Sequence, residues 1–133
     1  MKTTLFIFIL IFITVPSLHA QIENVPEDSI SVYLSQNWKE KARFLNRHQV
    51  EIFGEPIIYE FKADSSFIKK IDNEAIKGSW VYDRNKKVIQ LFNDSKPGFY
   101  VVALTKNELL LSSDLHEDPN KGMGILVLFK PVN

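Results

Sequence analysis

Residues 57–93 read IIYEFKADSSFIKKIDNEAIKGSWVYDRNKKVIQLFN. Apolar and polar residues alternate through Ile57–Ala63, Ser66–Ile71, Lys77–Asp83 and Lys87–Asn93, the period-2 mark of strands with one buried face. The breaks are Asp64-Ser65, Asp72-Asn73-Glu74 and Arg84-Asn85-Lys86, residues that accept turn geometry. Links this short join antiparallel neighbours, because a parallel pair needs a crossover of a dozen or more residues. The stretch predicts four strands in a meander.

The same pattern extends in both directions. Asn37–Leu45 precedes it as a first strand. Phe99–Thr105, Glu108–Ser113 and Gly124–Lys130 follow, across links at Asn93–Gly98, Lys106-Asn107 and Asp114–Lys121. No segment after Asn37 sustains an i, i+3, i+4 apolar stripe, which excludes a parallel sheet with crossover helices. Eight antiparallel strands form a sandwich or a closed barrel. A Greek-key sandwich needs long return connections, and the only long link is Asn46–Pro56. The expectation is an all-β fold: an eight-stranded antiparallel up-and-down barrel over residues 37–133, without exposed sheet edges.

Residues 21–36 form a lead. Ile30, Tyr33 and Leu34 fit one face of a helix, while Ile30, Val32 and Leu34 fit a strand. Pro26 followed by Glu27-Asp28 suits a helix N-terminus, where acids complement the dipole. A short N-terminal helical lead covering one barrel end is expected.

Residues 1–20 carry the pattern of a secretory signal peptide. Lys2 supplies the positive region, Leu5–Val15 an unbroken apolar run, and Pro16 and Ala20 the break and the small residue at the cut. A run this short falls well below a bilayer core of roughly 30 Å, so no stable membrane span is expected. Cleavage near Ala20 implies a periplasmic or secreted product. With no cysteine at the cut, a lipid anchor has no attachment point.

Removing that segment leaves 113 of the 133 residues, with 15 basic against 16 acidic. This is the size of one small domain. The balance gives no basic excess to grip nucleic acid or an anionic membrane. Without cysteine, the chain is not a disulfide scaffold.

Five pieces resemble small bacterial lipocalin-like proteins. YEFKADSSF (Tyr59–Phe67) is similar to their F-x-x-D-G-T/S-F strand–turn–strand, and IKGSWVYD (Ile76–Asp83) to their G-T/S-W strand. YVVALTKNELLL (Tyr100–Leu111) resembles their Y-x-V-x-x-L-T-x-x-E-L-x-L hairpin, and ILVLFKPV (Ile125–Val132) their closing strand. Asn37-Trp38 stands where the opening G-x-W strand would lie. Gln36 replaces the glycine of that motif. Ser65 stands where the turn prefers glycine, which predicts either mild strain there or a change of turn type. The resemblance implies an eight-stranded barrel and, in many but not all members, binding of a small apolar molecule, without naming the ligand.

Alternation assigns inner faces. Trp38, Glu40, Ala42 and Phe44 face in from the first strand, and Ile57, Tyr59 and Phe61 from the second. The third gives Phe67, Lys69 and Ile71; the fourth gives Gly78, Trp80 and Tyr82. Tyr100, Val102 and Leu104, then Leu109 and Leu111, then Ile125, Val127 and Phe129 complete the lining. Glu40 and Lys69 stand out, since a buried charge requires a partner or water. One reading makes Lys69 an anchor for a carboxylate head group inside an apolar cup. The other makes Glu40 and Lys69 a structural pair, or lets a β-bulge turn either charge outward. Trp38 and Trp80 either line a pocket or plug one end, with their N–H groups on acceptors. The link Asn46–Pro56 is the candidate lid. Its Arg47, His48 and Phe53 either touch a ligand or, for Phe53, staple the loop to the rim.

Catalysis has little to build on. After the leader the histidines are His48 and His116, in no metal-binding spacing. Asp114, Glu117 and Asp118 near His116 lack the order of a calcium loop. No phosphate loop and no G-x-S-x-G occurs, so neither an enzyme nor a cofactor is expected. Two function readings remain. One is a lipocalin-like protein binding a small hydrophobic or fatty-acid-like molecule through Trp38, Glu40, Tyr59, Phe61, Phe67, Lys69, Trp80, Tyr82, Tyr100 and Phe129, with Phe53 on the lid. The other is a packed barrel acting through its outer surface, where Ile58, Val81, Val101 and Leu110 would form an apolar patch.

Overall fold

The computed structural model describes residues 22, 25–115 and 124–132. Residues 1–20, on which the expected signal peptide falls, and His116, Glu117 and Asp118 lie outside the described residues. One helix, α1 (Glu27–Leu34), leads into strands β1 (Asn37–Leu45), β2 (His48–Val50), β3 (Ile58–Phe61), β4 (Ser66–Ile71), β5 (Glu74–Asp83), β6 (Val88–Asn93), β7 (Lys96–Leu104), β8 (Leu109–Ser112) and β9 (Ile125–Pro131). Every pairing is antiparallel. Apart from β2, each strand pairs with the next in sequence, and β9 returns to β1 along Trp38↔Pro131 to Leu45↔Ile125. This closes an eight-stranded up-and-down barrel. Tight polar turns between alternating runs leave few other ways to pair them.

The link Asn46–Pro56 differs from its expectation. Asn46 and Arg47 both take positive φ, 50° and 72°, and close a two-residue hairpin. The primed turn twists with the strands, so β2 pairs outside the barrel on the C-terminal part of β1. Only residues 51–57 remain as an irregular segment. The second departure is Asn93–Gly98. Asp94 and Ser95 make the turn, and β7 starts at Lys96 with Pro97 inside it. Beside it the β6–β7 ladder is irregular, and there Gln90 Nε2 donates to Gly98 O at 3.0 Å and to Leu91 O at 3.1 Å.

The core fills the barrel. Tyr59, Phe61, Phe67 and Phe129 meet with ring centroids 5.3–5.6 Å apart, in stacked, tilted and edge-on arrangements. Trp38, Trp80, Ile89, Leu91, Leu104, Leu109, Leu111 and Val127 complete the buried cluster. One end is closed by α1. Pro26 and the acids Glu27 and Asp28 start the helix, and its Ile30 and Leu34 join the core with Ile22 and Val25. The Trp38 indole N–H donates to Leu34 O at 3.0 Å, and that of Trp80 to Lys62 O at 3.1 Å. Both tryptophans are therefore built into the core with their polar edges satisfied.

Bulges correct the expected faces. Residues directly opposite across an antiparallel ladder share a face. In β1 an extra residue, Lys41, lies between Glu40↔Phe129 and Ala42↔Leu128. Beyond it Arg43 sits opposite the buried Val127, while Ala42 and Phe44 sit opposite Leu128 and Leu126 on the outer face. Ala42 and Phe44 therefore do not line the interior; Arg43 does. In β7 the extra residue Val102 lies between Val101↔Leu111 and Ala103↔Leu110. Phe99, Val101 and Leu104 face the core, Tyr100 stands outside it, and Val102 is buried apart from it. A bulge puts two residues against one, and strict alternation fails at that step.

Candidate functional site

Away from α1, the inner face of β1, β3 and β4 carries charge. Glu40 is 2% exposed. It sits where β1 leaves β3, because their pairing ends at Lys39↔Ile58 and β1 next pairs with β2. Ile57 would lose its ladder partner at this divergence. Instead, the Glu40 N–H donates to Ile57 O at 2.9 Å, and Ile57 N–H donates to Glu40 Oε1 at 3.1 Å. The second oxygen, Oε2, accepts from Arg43 Nε at 2.8 Å and lies 2.7 Å from Nη2. A two-pronged guanidinium contact and a backbone N–H thus satisfy both oxygens of a buried carboxylate.

Lys69 follows Phe67 in the inner row of β4. Its cross-strand partners are Tyr59 and Ile76. The ammonium lies 5.8 Å from the Tyr59 ring centroid, within cation–π range. Among the described residues no carboxylate lies within ion-pair distance of Lys69. Burial lowers its pKa from the ordinary lysine value, the Glu40 charge opposes that shift and the Arg43 charge adds to it. The Tyr59 hydroxyl is pushed far above its ordinary pKa by burial and by Glu40. Glu40, Arg43, Lys69 and Tyr59 therefore form one electrostatic group with two cations against one carboxylate.

The other candidate residues fall into three sets. Trp38, Phe61, Phe67, Trp80 and Phe129 are core, and Tyr82 packs against it half-buried. Tyr100 stands apart from the core. Phe53, on the segment 51–57, is 83% exposed and does not staple the loop to the rim. Sequence reasoning missed Arg43. Its one signal was the i, i+3 spacing from Glu40, a spacing that in a regular strand puts the two on opposite faces.

The outer wall has features of its own. Leu110, Leu128 and Ala42 stand in one cross-strand row, with Leu126 opposite Phe44 in a neighbouring row. An open depression of about 550 Å³ lies beside it, lined by Lys41, Ala42, Gln49, Val50, Glu51 and Ile52. A second, of about 430 Å³, is lined by Gln36, Lys41, Lys106, Asn107, Lys130 and Pro131. Val101, turned into the core, takes no part in the expected outer patch; Val81 remains 54% exposed.

The fold and the charged group define an antiparallel β-barrel with a filled aromatic centre, one end closed by a helix, and a buried carboxylate paired with a part-exposed arginine beside a half-buried lysine. No helix among the described residues is long and apolar enough to cross a membrane. Compared with known proteins, the chain matches no family model, no curated protein and no solved structure.

Proposed function

We propose that this is a lipocalin-like binding protein, periplasmic or secreted, that takes up a small hydrophobic or amphipathic molecule such as a fatty acid and performs no catalysis. The carrying observation is Lys69: a half-buried ammonium pressed on Tyr59 without an acid of its own. Convergent polar groups at the margin of an aromatic lining suit an amphipathic ligand. The signal-like segment at 1–20 and the five lipocalin-like pieces support the remainder of the reading. Because Tyr59, Phe61, Phe67 and Phe129 occupy the centre, seating at the barrel end beside Lys69 is favoured over seating in the middle. Titration of the purified protein with fatty acids and a neutral hydrophobic dye, followed by tryptophan emission and calorimetry, tests this. Saturable binding of either is the expected result; if both fail to bind, the reading is lost.

One observation favours a second reading, a packed barrel that acts through its outer wall. The row Leu110, Leu128 and Ala42, with Phe44 and Leu126 beside it, adjoins the 550 Å³ depression. A protein that binds no small molecule but loses a partner on Phe44→Asp would be of this kind.

A further inference from the structure

The bulge at Lys41 gives Lys69 a companion. Arg43 is turned to the inner face by that bulge, opposite Val127. It uses Nε and Nη2 on Glu40 and retains its Nη1 donors, with about a third of the side chain exposed. Lys69 contributes three donors and has no acid of its own among the described residues. Glu40 neutralises one positive charge only, and both its oxygens are already engaged, by Arg43 and by Ile57 N–H. Two cations held against an apolar wall repel one another unless a second anion joins them. A group of charge +1 calls for a single negative charge; a dianion would leave an excess beside the buried Glu40.

We propose that Arg43 and Lys69 together form a subsite for a monoanionic carboxylate, with Glu40 fixing the guanidinium and Tyr59 flooring the ammonium. This deepens the binding function proposed above and rests on it for the identity of the tail. The carboxylate is the head group of an alkyl acid or a free small acid, and the two sources are separable. Arg43, held by Glu40, presents its Nη1 donors in a fixed direction, and the flexible Lys69 ammonium supplies charge.

The test compares decanoate, decanol and acetate on the purified protein and on two variants. Lys69→Met removes a half-buried cation. Glu40→Gln/Arg43→Gln neutralises the buried pair together, so that no charge is stranded. Decanoate should bind the unaltered protein about tenfold or more tighter than decanol, the worth of one charge-assisted contact. Each variant should abolish that preference, weakening decanoate about tenfold or more relative to decanol. The Lys69 ammonium, followed by NMR, should titrate at higher pH when acetate is added, since an anion in the subsite stabilises its charged form. Equal binding of decanoate and decanol, or equal losses for both in the variants, overturns the subsite. If neither alkyl ligand binds, the acetate titration decides: a shifted Lys69 keeps a site for free small acids while removing the lipid-like reading, and an unmoved Lys69 removes the subsite as well.

Discussion

Among the described residues seven non-glycine residues take positive φ, and all lie in the hairpin turns or the loops between strands: Asn46, Arg47, Ser65, Asp72, Lys87, Asp94 and Ser95. Left-handed backbone costs an L-residue about 1–2 kcal/mol, less for Asn and Asp, whose short side chains bond locally. Ser65, at φ 72°, gains less from such bonds, since it is Asp64 that caps the turn by accepting from Ser66 N–H at 3.0 Å. This position was legible in the sequence, where serine replaces the glycine of the resembling turn. Ser65→Gly should therefore raise stability by about 0.5–1 kcal/mol, the relief of strain less the extra freedom of the unfolded chain. Urea unfolding with an unchanged m-value would show it; a loss of stability would mean that the serine side chain holds the turn. Arg43 is the opposite case. Its residue type suits an anion partner, but nothing local to the sequence says that β1 gains a residue at Lys41, so its face was hidden.

At the scale of elements, alternation worked wherever the ladder was regular. β1 and β4 have the predicted bounds, and the inner rows of β3, β8 and β9 are those expected. It failed in the two strands that carry an extra residue, because one bulge reverses every later side chain. The β4–β5 pair shows how tightly a regular ladder specifies its partners. Gly78 lies opposite Phe67, and the phenyl ring covers the glycine. A Cβ on Gly78 would come within 2.7 Å of two ring atoms and 2.5 Å of Phe92 O. The ring packs against Tyr59 and Phe61, and the carbonyl belongs to the β5–β6 ladder. Gly78→Ala should accordingly destabilise the barrel by about 1–3 kcal/mol through overpacking. Thermal unfolding measures this, and a tolerated alanine would show that the Phe67 ring has room to move.

For the whole molecule the question is what a closed barrel with a full centre can hold. Eight strands enclose an interior that side chains can fill or that one small ligand can occupy. Here four aromatic rings meet at its centre, and α1 covers one end. The composition foretold the aromatics but not the contact of Tyr59 with Phe129, which depends on closure between β1 and β9, the most distant strands in the chain. A container and an end-seated site respond differently to ligand length. If an alkyl tail entered the interior, each added methylene would be buried at about 0.8 kcal/mol, roughly fourfold in affinity per carbon. If the tail lies at the rim beside Ile57 and Ile76, only its first few carbons leave water. Across straight-chain carboxylates from butanoate to hexadecanoate, affinity should rise over the shortest members and then level off. A fourfold gain sustained to the longest acids would require Phe67 and Phe129 to vacate the centre. Phe129→Ala is the internal control, since it removes a ring from the centre and costs about 3–5 kcal/mol of stability. In that variant the plateau should move to longer chains, because the vacated volume admits carbons that the intact core keeps out.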